Sequence, residues 1–219
     1  MDTYSEPVIA TLEFLKQEFH KSPYFQEHPS EREYRFNHTM RVANLGIRIA
    51  KGEGFNIEAM VLGCLLHDIS YRDAFTCEED WLRHGRSSAR IARDFLTSLA
   101  LPQSRIEEIC IGIATHVDGK ADLPVETTAF TDSISDADNL DRLDAYRTYE
   151  MLEYAHFRDM KLAEQKSWLN KEIENLGSWE AEGFSTPTAD RIMHERMQKR
   201  RDFYLQLLEQ LDNSSHLNL

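Results

Sequence analysis

Apolar side chains recur every three or four residues along most of this chain, and this spacing is the feature that most restricts its fold. One stripe contains His38, Val42, Leu45 and Ile49. The spacing i, i+4, i+7, i+11 is typical of a helix that packs one face against a core. No segment shows the sustained apolar–polar alternation of a half-buried strand, and only six prolines and nine glycines interrupt the pattern. The sequence therefore predicts an all-α fold, a bundle of about eight helices.

Polar breaks and capping residues give approximate helix boundaries. Helical patterns cover about residues 4–20, 33–51, 57–69, 85–100 and 101–116, then about 134–176 and from 187 onward. Thr186 followed by Pro187 is a typical helix start, because a threonine oxygen caps the first turn and proline fits the first helical position. The longest irregular segment is VDGKADLPVETTAFTDS, and long loops in compact domains are often functional.

The chain shows neither an internal repeat nor a linker long enough to divide it. Its 219 residues suffice for one domain with a sizeable core, so we expect a single helical domain over residues 1–219. Its motif-bearing part would span about residues 30–150. The helices at about 148–212 would pack on that part, or form an arm that joins two copies in a homodimer.

Composition restricts the partners and the compartment. A net charge of −13 argues against broad nucleic-acid binding, which needs a basic surface, but it allows a small phosphorylated substrate. The three cysteines, Cys64, Cys77 and Cys110, are too few and too widely spaced for a disulfide framework. The sequence has no apolar run of membrane-spanning length and no signal-peptide pattern at its N-terminus. We therefore expect a cytoplasmic protein without a membrane partner.

Histidines and aspartates recur at the inner faces and ends of five consecutive helical segments. His38 lies on an apolar stripe, and His67 and Asp68 end the apolar run LGCLLHDIS. Three more members are expected just before the fourth helix, at the end of the fifth and early in the sixth, namely His84, His116 and Asp138. Each alone has an ordinary explanation, such as a core histidine or an imidazolium at a helix C-terminus. Together they predict a metal site, because buried imidazoles and carboxylates need partners, and this ligand mixture suits Mn, Fe, Co or Zn.

Three segments of the sequence resemble a known family. HTMRVANLGIRIA, LGCLLHDIS and SISDADNLDRLDA are similar to characteristic segments of the HD superfamily of metal-dependent phosphohydrolases. The resemblance covers about residues 37–144. It implies an HD-type helical bundle, which agrees with the helical periodicity.

The resemblance also implies a ligand set. The ligands of a first divalent ion would be His38, His67, Asp68 and Asp138. Asp138 is preferred to Asp136 because the family's distal aspartate usually follows a small apolar residue. His84 and His116 occupy the places where two-metal subfamilies carry further histidines. Either they hold a second ion, with Asp68 bridging the two, or they contact substrate beside a single ion; the metal would be Mn, Fe, Co, Zn or Mg.

The chain departs from the family pattern directly after the His-Asp pair. Two-metal subfamilies often carry a glycine and then a lysine there, and this chain has Ser70 and Tyr71. Some nucleotide-cleaving members have a glutamate a few residues later, and the nearest acid here is Asp73. Asp73 is therefore a candidate general base, together with Asp68.

The resemblance implies cleavage of a phosphate ester or anhydride, in a nucleotide or similar small molecule, by a metal-activated water. Candidates to neutralise the phosphate are Arg72, Lys120 and Arg142, whereas Arg41 is expected to pair with a structural acid. Two alternatives stay open. The ligand set is also compatible with a di-iron oxygenase, although the lysine is absent. The long acidic C-terminal helices are compatible with a non-catalytic sensor or interaction module.

Overall fold

The computed structural model describes residues 4–214, except for the side chains of residues 179 and 182. Within this range the chain forms ten α-helices and no strand. The helices are α1 (Glu6–Lys21), α2 (Pro23–Glu27), α3 (Pro29–Glu53), α4 (Ile57–Leu66), α5 (Glu78–Ser98), α6 (Gln103–Thr115), α7 (Ala129–Arg142), α8 (Ala145–Tyr154), α9 (Leu162–Glu182) and α10 (Pro187–Asn213). Two short 3₁₀ segments cover Ile69–Arg72 and Phe157–Asp159. The all-α prediction is confirmed, with a helix count slightly above eight.

Two additional breaks account for the larger number of helices. The polar segment after α1 contains the five-residue helix α2, which Ser22 caps by accepting a hydrogen bond from the Phe25 backbone N–H. The helical pattern at 134–176 is divided among α7, α8 and α9. Asp144 begins α8 because its carboxylate accepts from the Ala145 N–H, which satisfies a donor that has no intrahelical partner.

Two helices that carry predicted metal ligands begin earlier than the sequence indicated. α5 begins at Glu78 because the Asp80 carboxylate accepts hydrogen bonds from the backbone N–H groups of Thr76 and Cys77. His84 therefore lies inside α5, and the expectation that it stands just before the helix is wrong. α7 likewise begins at Ala129, which places Asp138 in its third turn.

The backbone divides into two compact units, Met1–Asp141 and Arg142–Leu219. The prediction of one domain over residues 1–219 stays a prediction. In the first unit α4 is the central element, packed against α1, α3 and α6. Every residue from Ala59 to Leu66 is buried, as expected for a helix that is apolar on all sides.

A close approach of α4, α6 and α7 sets the geometry of the first unit. A Cβ atom added at Gly63 of α4 would lie 2.5 Å from Ile134 Cδ1 of α7, and one added at Gly112 of α6 would lie 2.6 Å from the same atom. Ile134 is fully buried. The two glycines thus provide the space that one isoleucine side chain fills.

The second unit contains α8, α9 and α10, and its buried apolar side chains lie on α9 and α10 and at Leu143 before α8. Thr186 caps α10 by accepting from the Ala189 N–H, and Pro187 is the first helical residue, so this predicted helix start is confirmed. None of the helices in the described part of the chain has the length and apolar character needed to cross a membrane.

Candidate metal centre

Five helices of the first unit bring six predicted ligands into one buried cluster, which we call the metal centre. It consists of His38 on α3, His67 and Asp68 directly after α4, His84 on α5, His116 directly after α6 and Asp138 on α7. All six side chains are buried, and His67 is fully inaccessible. The apolar helix α4 ends where the apolar run ends, so His67 and Asp68, which follow it directly, lie at the end of the core.

The two carboxylate oxygens of Asp68 face different donors. Oδ2 lies 3.5 Å from His38 Nε2 and 3.4 Å from His67 Nε2. Oδ1 lies 3.2 Å from His84 Nε2 and 3.6 Å from His116 Nε2. The metal centre is therefore two sets of donor atoms joined by one carboxylate.

Asp138 belongs to the first of these sets. Its Oδ1 lies 3.2 Å from His38 Nε2 and 3.9 Å from His67 Nε2. Asp136 is buried on the same helix, but among the described residues the groups of ligand atoms within 4.8 Å of one another include Asp138 and not Asp136.

The hydrogen bonds of the histidines determine which ring nitrogen is available to a metal. Nδ1 of His67, His84 and His116 lies 2.7, 2.6 and 2.7 Å from the carbonyl oxygens of Cys64, Trp81 and Ile113, respectively. A carbonyl can only accept, so each Nδ1 carries the proton. In the neutral ring the lone pair is then on Nε2, the atom that faces Asp68.

Two features of the cluster fit the binding of a cation. His67 Nε2 is buried and has no hydrogen-bond partner, which is unfavourable for a polar atom. His84 Nε2 and His116 Nε2 lie 3.1 Å apart, so two lone pairs point toward one another. A divalent ion with ligand bonds of about 2.1 Å places its ligand atoms about 3.0–3.4 Å apart, which is close to the separations observed here. The nitrogen and oxygen donors fit Mn, Fe, Co or Zn.

The charges in the cluster are mutually compensated. Burial alone would raise the pKa of Asp68, but the imidazole of His67, the guanidinium of Arg35 and the neighbouring rings of His116 and His38 hold it well below the usual value. Burial alone would lower the pKa of His38, but the carboxylates of Asp138, Asp141 and Asp68 raise it well above the usual value. Either a proton or a divalent cation at His38 Nε2 would therefore compensate the negative charge of Asp68 and Asp138.

Asp141 orients His38 from behind. Its Oδ2 accepts from His38 Nδ1 at 2.8 Å, and both of its oxygens accept from Arg41, at 2.7 and 3.0 Å. Burial would raise the pKa of Asp141, but the hydrogen bonds from His38 and Arg41 lower it overall. The prediction that Arg41 pairs with a structural acid is confirmed. That acid is Asp141, one turn after Asp138, which the sequence pattern did not identify.

Arg35 is a charged neighbour of the metal centre that sequence reasoning missed. Its NH1 donates to Asp68 Oδ2 at 2.6 Å, and its guanidinium lies over the Tyr71 ring, 3.5 Å from the ring centroid. The available signal was its position three residues before His38, because residues three apart share a helix face.

An aromatic cluster borders the metal centre beside Arg35. It consists of Tyr71, Phe75 and Trp81, whose ring centroids lie 4.5–5.6 Å apart. The Tyr71 centroid is also 5.1 Å from that of His84. Trp81 is 53% exposed, so this aromatic cluster extends from a buried ligand to the surface.

The other predicted site residues lie in different surroundings. The guanidinium of Arg72 pairs with Glu18 of α1, so its charge is already compensated. The Asp73 side chain is 71% exposed. Lys120 is exposed, and its backbone is held by Asp118 and Arg86. Arg142 is exposed at the end of α7.

Comparisons with known proteins agree with this architecture. The family model described as HD domain matches residues 35–213. A similar solved structure is the crystal structure of a predicted HD superfamily hydrolase from an uncultured Thermotogales bacterium, with a TM-score of 0.62 and 20% identity. The match covers 91% of this chain and 90% of that one, and at this identity it shows a shared fold. The search of curated proteins finds no match.

Proposed function

Because this chain belongs to the HD domain family, we propose that it is a metal-dependent phosphohydrolase acting on a phosphate ester or anhydride of a nucleotide or similar small molecule. The observation that carries the proposal is the position of Asp68, whose two oxygens face two separate sets of imidazole nitrogens. One carboxylate shared in this way supports a centre with two ions rather than one.

In the proposed centre, His38, His67, Asp68 and Asp138 would hold a first ion, and Asp68, His84 and His116 would hold a second. Divalent ions in such a centre polarise a phosphoryl oxygen and lower the pKa of water enough to supply hydroxide near neutral pH. Backbone carbonyls fix the rings of His67, His84 and His116, and Asp141 fixes that of His38, so each Nε2 is oriented before binding.

The chain supplies two candidate carboxylates for proton transfer. Asp68 stands between the two donor sets, where it can orient the attacking water and accept its proton. Asp73 is largely exposed, so it has an ordinary solvated environment and can exchange protons with bulk solvent. We propose Asp68 as the principal catalytic carboxylate and Asp73 as the second.

We propose Arg35 to contact the phosphate because its carboxylate partner, unlike that of Arg72, is itself a proposed metal ligand. Its guanidinium adjoins Asp68 and retains further N–H donors in the planar geometry that suits phosphate oxygens. Arg72 already pairs with Glu18. The proposed contacts of Arg72, Lys120 and Arg142 with substrate therefore require that these side chains move or that the substrate extends to them.

The aromatic cluster supports a nucleotide as the substrate. The Trp81 ring is exposed beside Tyr71, and Tyr71 contacts both Arg35 and His84. A base stacked on Trp81 would place a phosphate toward Arg35, and base–aromatic stacking contributes about 1–3 kcal/mol per base.

The test is phosphate release from adenosine 5′-monophosphate, ribose 5-phosphate and a nucleoside triphosphate, with Mn²⁺, Fe²⁺ or Co²⁺ and with a chelator. We expect metal-dependent release that Asp68→Ala lowers by at least about 100-fold while the circular dichroism spectrum persists. Asp138→Asn and Asp136→Asn form a matched pair, and only Asp138→Asn should abolish activity. Phosphate release that is unaffected by chelation, or oxygen consumption with iron and no phosphate release, would refute the proposal.

A further inference from the structure

The second unit contains a cavity of about 370 Å³ between α8 and α10. This volume lies within the range of about 300–1,000 Å³ that is usual for small-molecule sites. The walls include Leu143, Leu152, Tyr149 and Phe203, and Ala145 lies at the start of α8. Tyr149 and Phe203 are 54% and 41% exposed. The cavity is thus apolar and open to solvent.

Three cationic side chains of α10 also line this cavity. Arg196, Lys199 and Arg200 are spaced i, i+3, i+4 and therefore share one face of the helix. Asp144 is the one acidic residue among the lining residues. It pairs with Arg196 at 2.5 Å, so one carboxylate stands against three positive charges in a protein whose net charge is −13.

Arg200 is a buried cation held by neutral acceptors. Its Nε donates to Thr148 Oγ1 at 2.8 Å and its NH2 to the Arg142 carbonyl at 2.7 Å. Its NH1 lies 3.9 Å from Met151 Sδ, a weak acceptor. Arg200 is only 7% exposed, and burial lowers the pKa of its guanidinium. The charges of Glu172 and Asp144 act in the opposite direction and raise this pKa, but the hydrogen-bond acceptors named above are all neutral.

Lys199 is the accessible cation of the cavity. It is exposed, and within the described part of the chain no carboxylate pairs with it. An anion at the cavity mouth would meet the Lys199 ammonium directly and would lie in the field of Arg200.

We infer that this cavity is a second ligand site, which binds a small molecule with an apolar body and one anionic head group. The apolar walls accept the body, and the cationic face of α10 accepts the head group. The site shares no residue with the metal centre, so it does not depend on the proposed phosphohydrolase activity.

The experiment is isothermal titration calorimetry on the full chain, with chelator and at low salt, using octanoate, octyl phosphate and octanol. We expect octanoate and octyl phosphate to bind at one site per chain and octanol at least about tenfold more weakly, because octanol lacks the charge that strengthens a hydrogen bond to a cation. Inorganic phosphate, a probe for the metal centre, should not displace octanoate.

Three variants locate the site. Lys199→Glu should weaken octanoate binding at least about tenfold, whereas Lys171→Glu, an equal charge change on an exposed residue of α9, should leave it within about twofold. Ala145→Phe should block binding by filling the cavity, and Ala145 is exposed, so the fold should tolerate it. Absence of octanoate binding, equal binding of octanol, or binding unchanged in Lys199→Glu or Ala145→Phe would overturn the inference.

Discussion

Replacing Gly63 with alanine should disturb the packing that holds the metal centre together. The new Cβ would lie 2.5 Å from Ile134 Cδ1, whereas carbon atoms in contact are about 3.5–4.0 Å apart. The overlap is therefore about 1.0–1.5 Å. Ile134 cannot easily yield, because its Cδ1 also occupies the space over Gly112. We expect α4 and α7 to separate, and with them His67, Asp68 and Asp138.

The expected magnitude follows from two opposing effects. Overpacking a core costs about 1–3 kcal/mol, and alanine is more favourable than glycine inside a helix by about 1 kcal/mol. Gly63→Ala should thus lower the free energy of unfolding by about 0–2 kcal/mol. Ile134→Val removes Cδ1 and alone costs about 0.5–1.5 kcal/mol. The double variant should be no less stable than Gly63→Ala, since the 2.5 Å contact is gone and the nearest remaining atom, Cγ1 of residue 134, is 3.3 Å away.

Urea denaturation of the wild type, Gly63→Ala, Ile134→Val and the double variant measures the coupling between the two positions. Gly112→Ala provides the control. Its Cβ would also meet the Thr131 carbonyl oxygen at 2.9 Å, which Ile134→Val cannot relieve, so no comparable rescue is expected. Metal titration should show weaker binding in Gly63→Ala and recovery in the double variant. Additive destabilisation by Gly63→Ala and Ile134→Val would refute the reasoning.

Three further predictions concern the metal centre. Asp141→Asn should lower the affinity for Mn²⁺ by about 10–100-fold, because it weakens the acceptor of His38 Nδ1–H; calorimetry measures this, and Asp132→Asn on the same helix should change little. Arg35→Ala should lower kcat/KM for adenosine 5′-monophosphate by about 10–100-fold, with Arg35→Lys intermediate, and unchanged kinetics would exclude Arg35 from phosphate binding. With free metal at about 100 times its Kd, removing the metal should lower the free energy of unfolding by about 2.7 kcal/mol. This corresponds to a Tm lower by about 5–10 °C, and an unchanged Tm would count against a metal in the folded state.

The helical class and the ligand cluster could be predicted from the sequence because both depend on local spacing. An apolar stripe shows which face of α3 turns inward, and His38 lies on that stripe. The abrupt end of an apolar helix marks where His67 and Asp68 must stand. The positions of such residues can be predicted without the loop structure, since the helix that carries each residue directs it toward the core.

The remaining features depend on contacts distant in sequence. Arg35 and Tyr71 meet across 36 positions, and neither side chain has a pattern that predicts the other. The pairing of Arg72 with Glu18 likewise follows from how α1 packs, and this pairing separates Arg72 from the role that its position after the His-Asp pair suggested. The break between α7 and α8 was missed because the helical spacing of apolar residues continues through it. The structure shows the break because Asp144 caps α8 there.

The most direct test of the two-ion centre is the number of divalent ions that each chain binds. Chelator-treated protein should be reloaded with Mn²⁺, separated from free metal and assayed by plasma mass spectrometry. The geometry predicts two ions per chain in the wild type and one in the double variant His84→Ala, His116→Ala, whose first donor set is intact. Two ions in both proteins, or none in the wild type, would contradict the account.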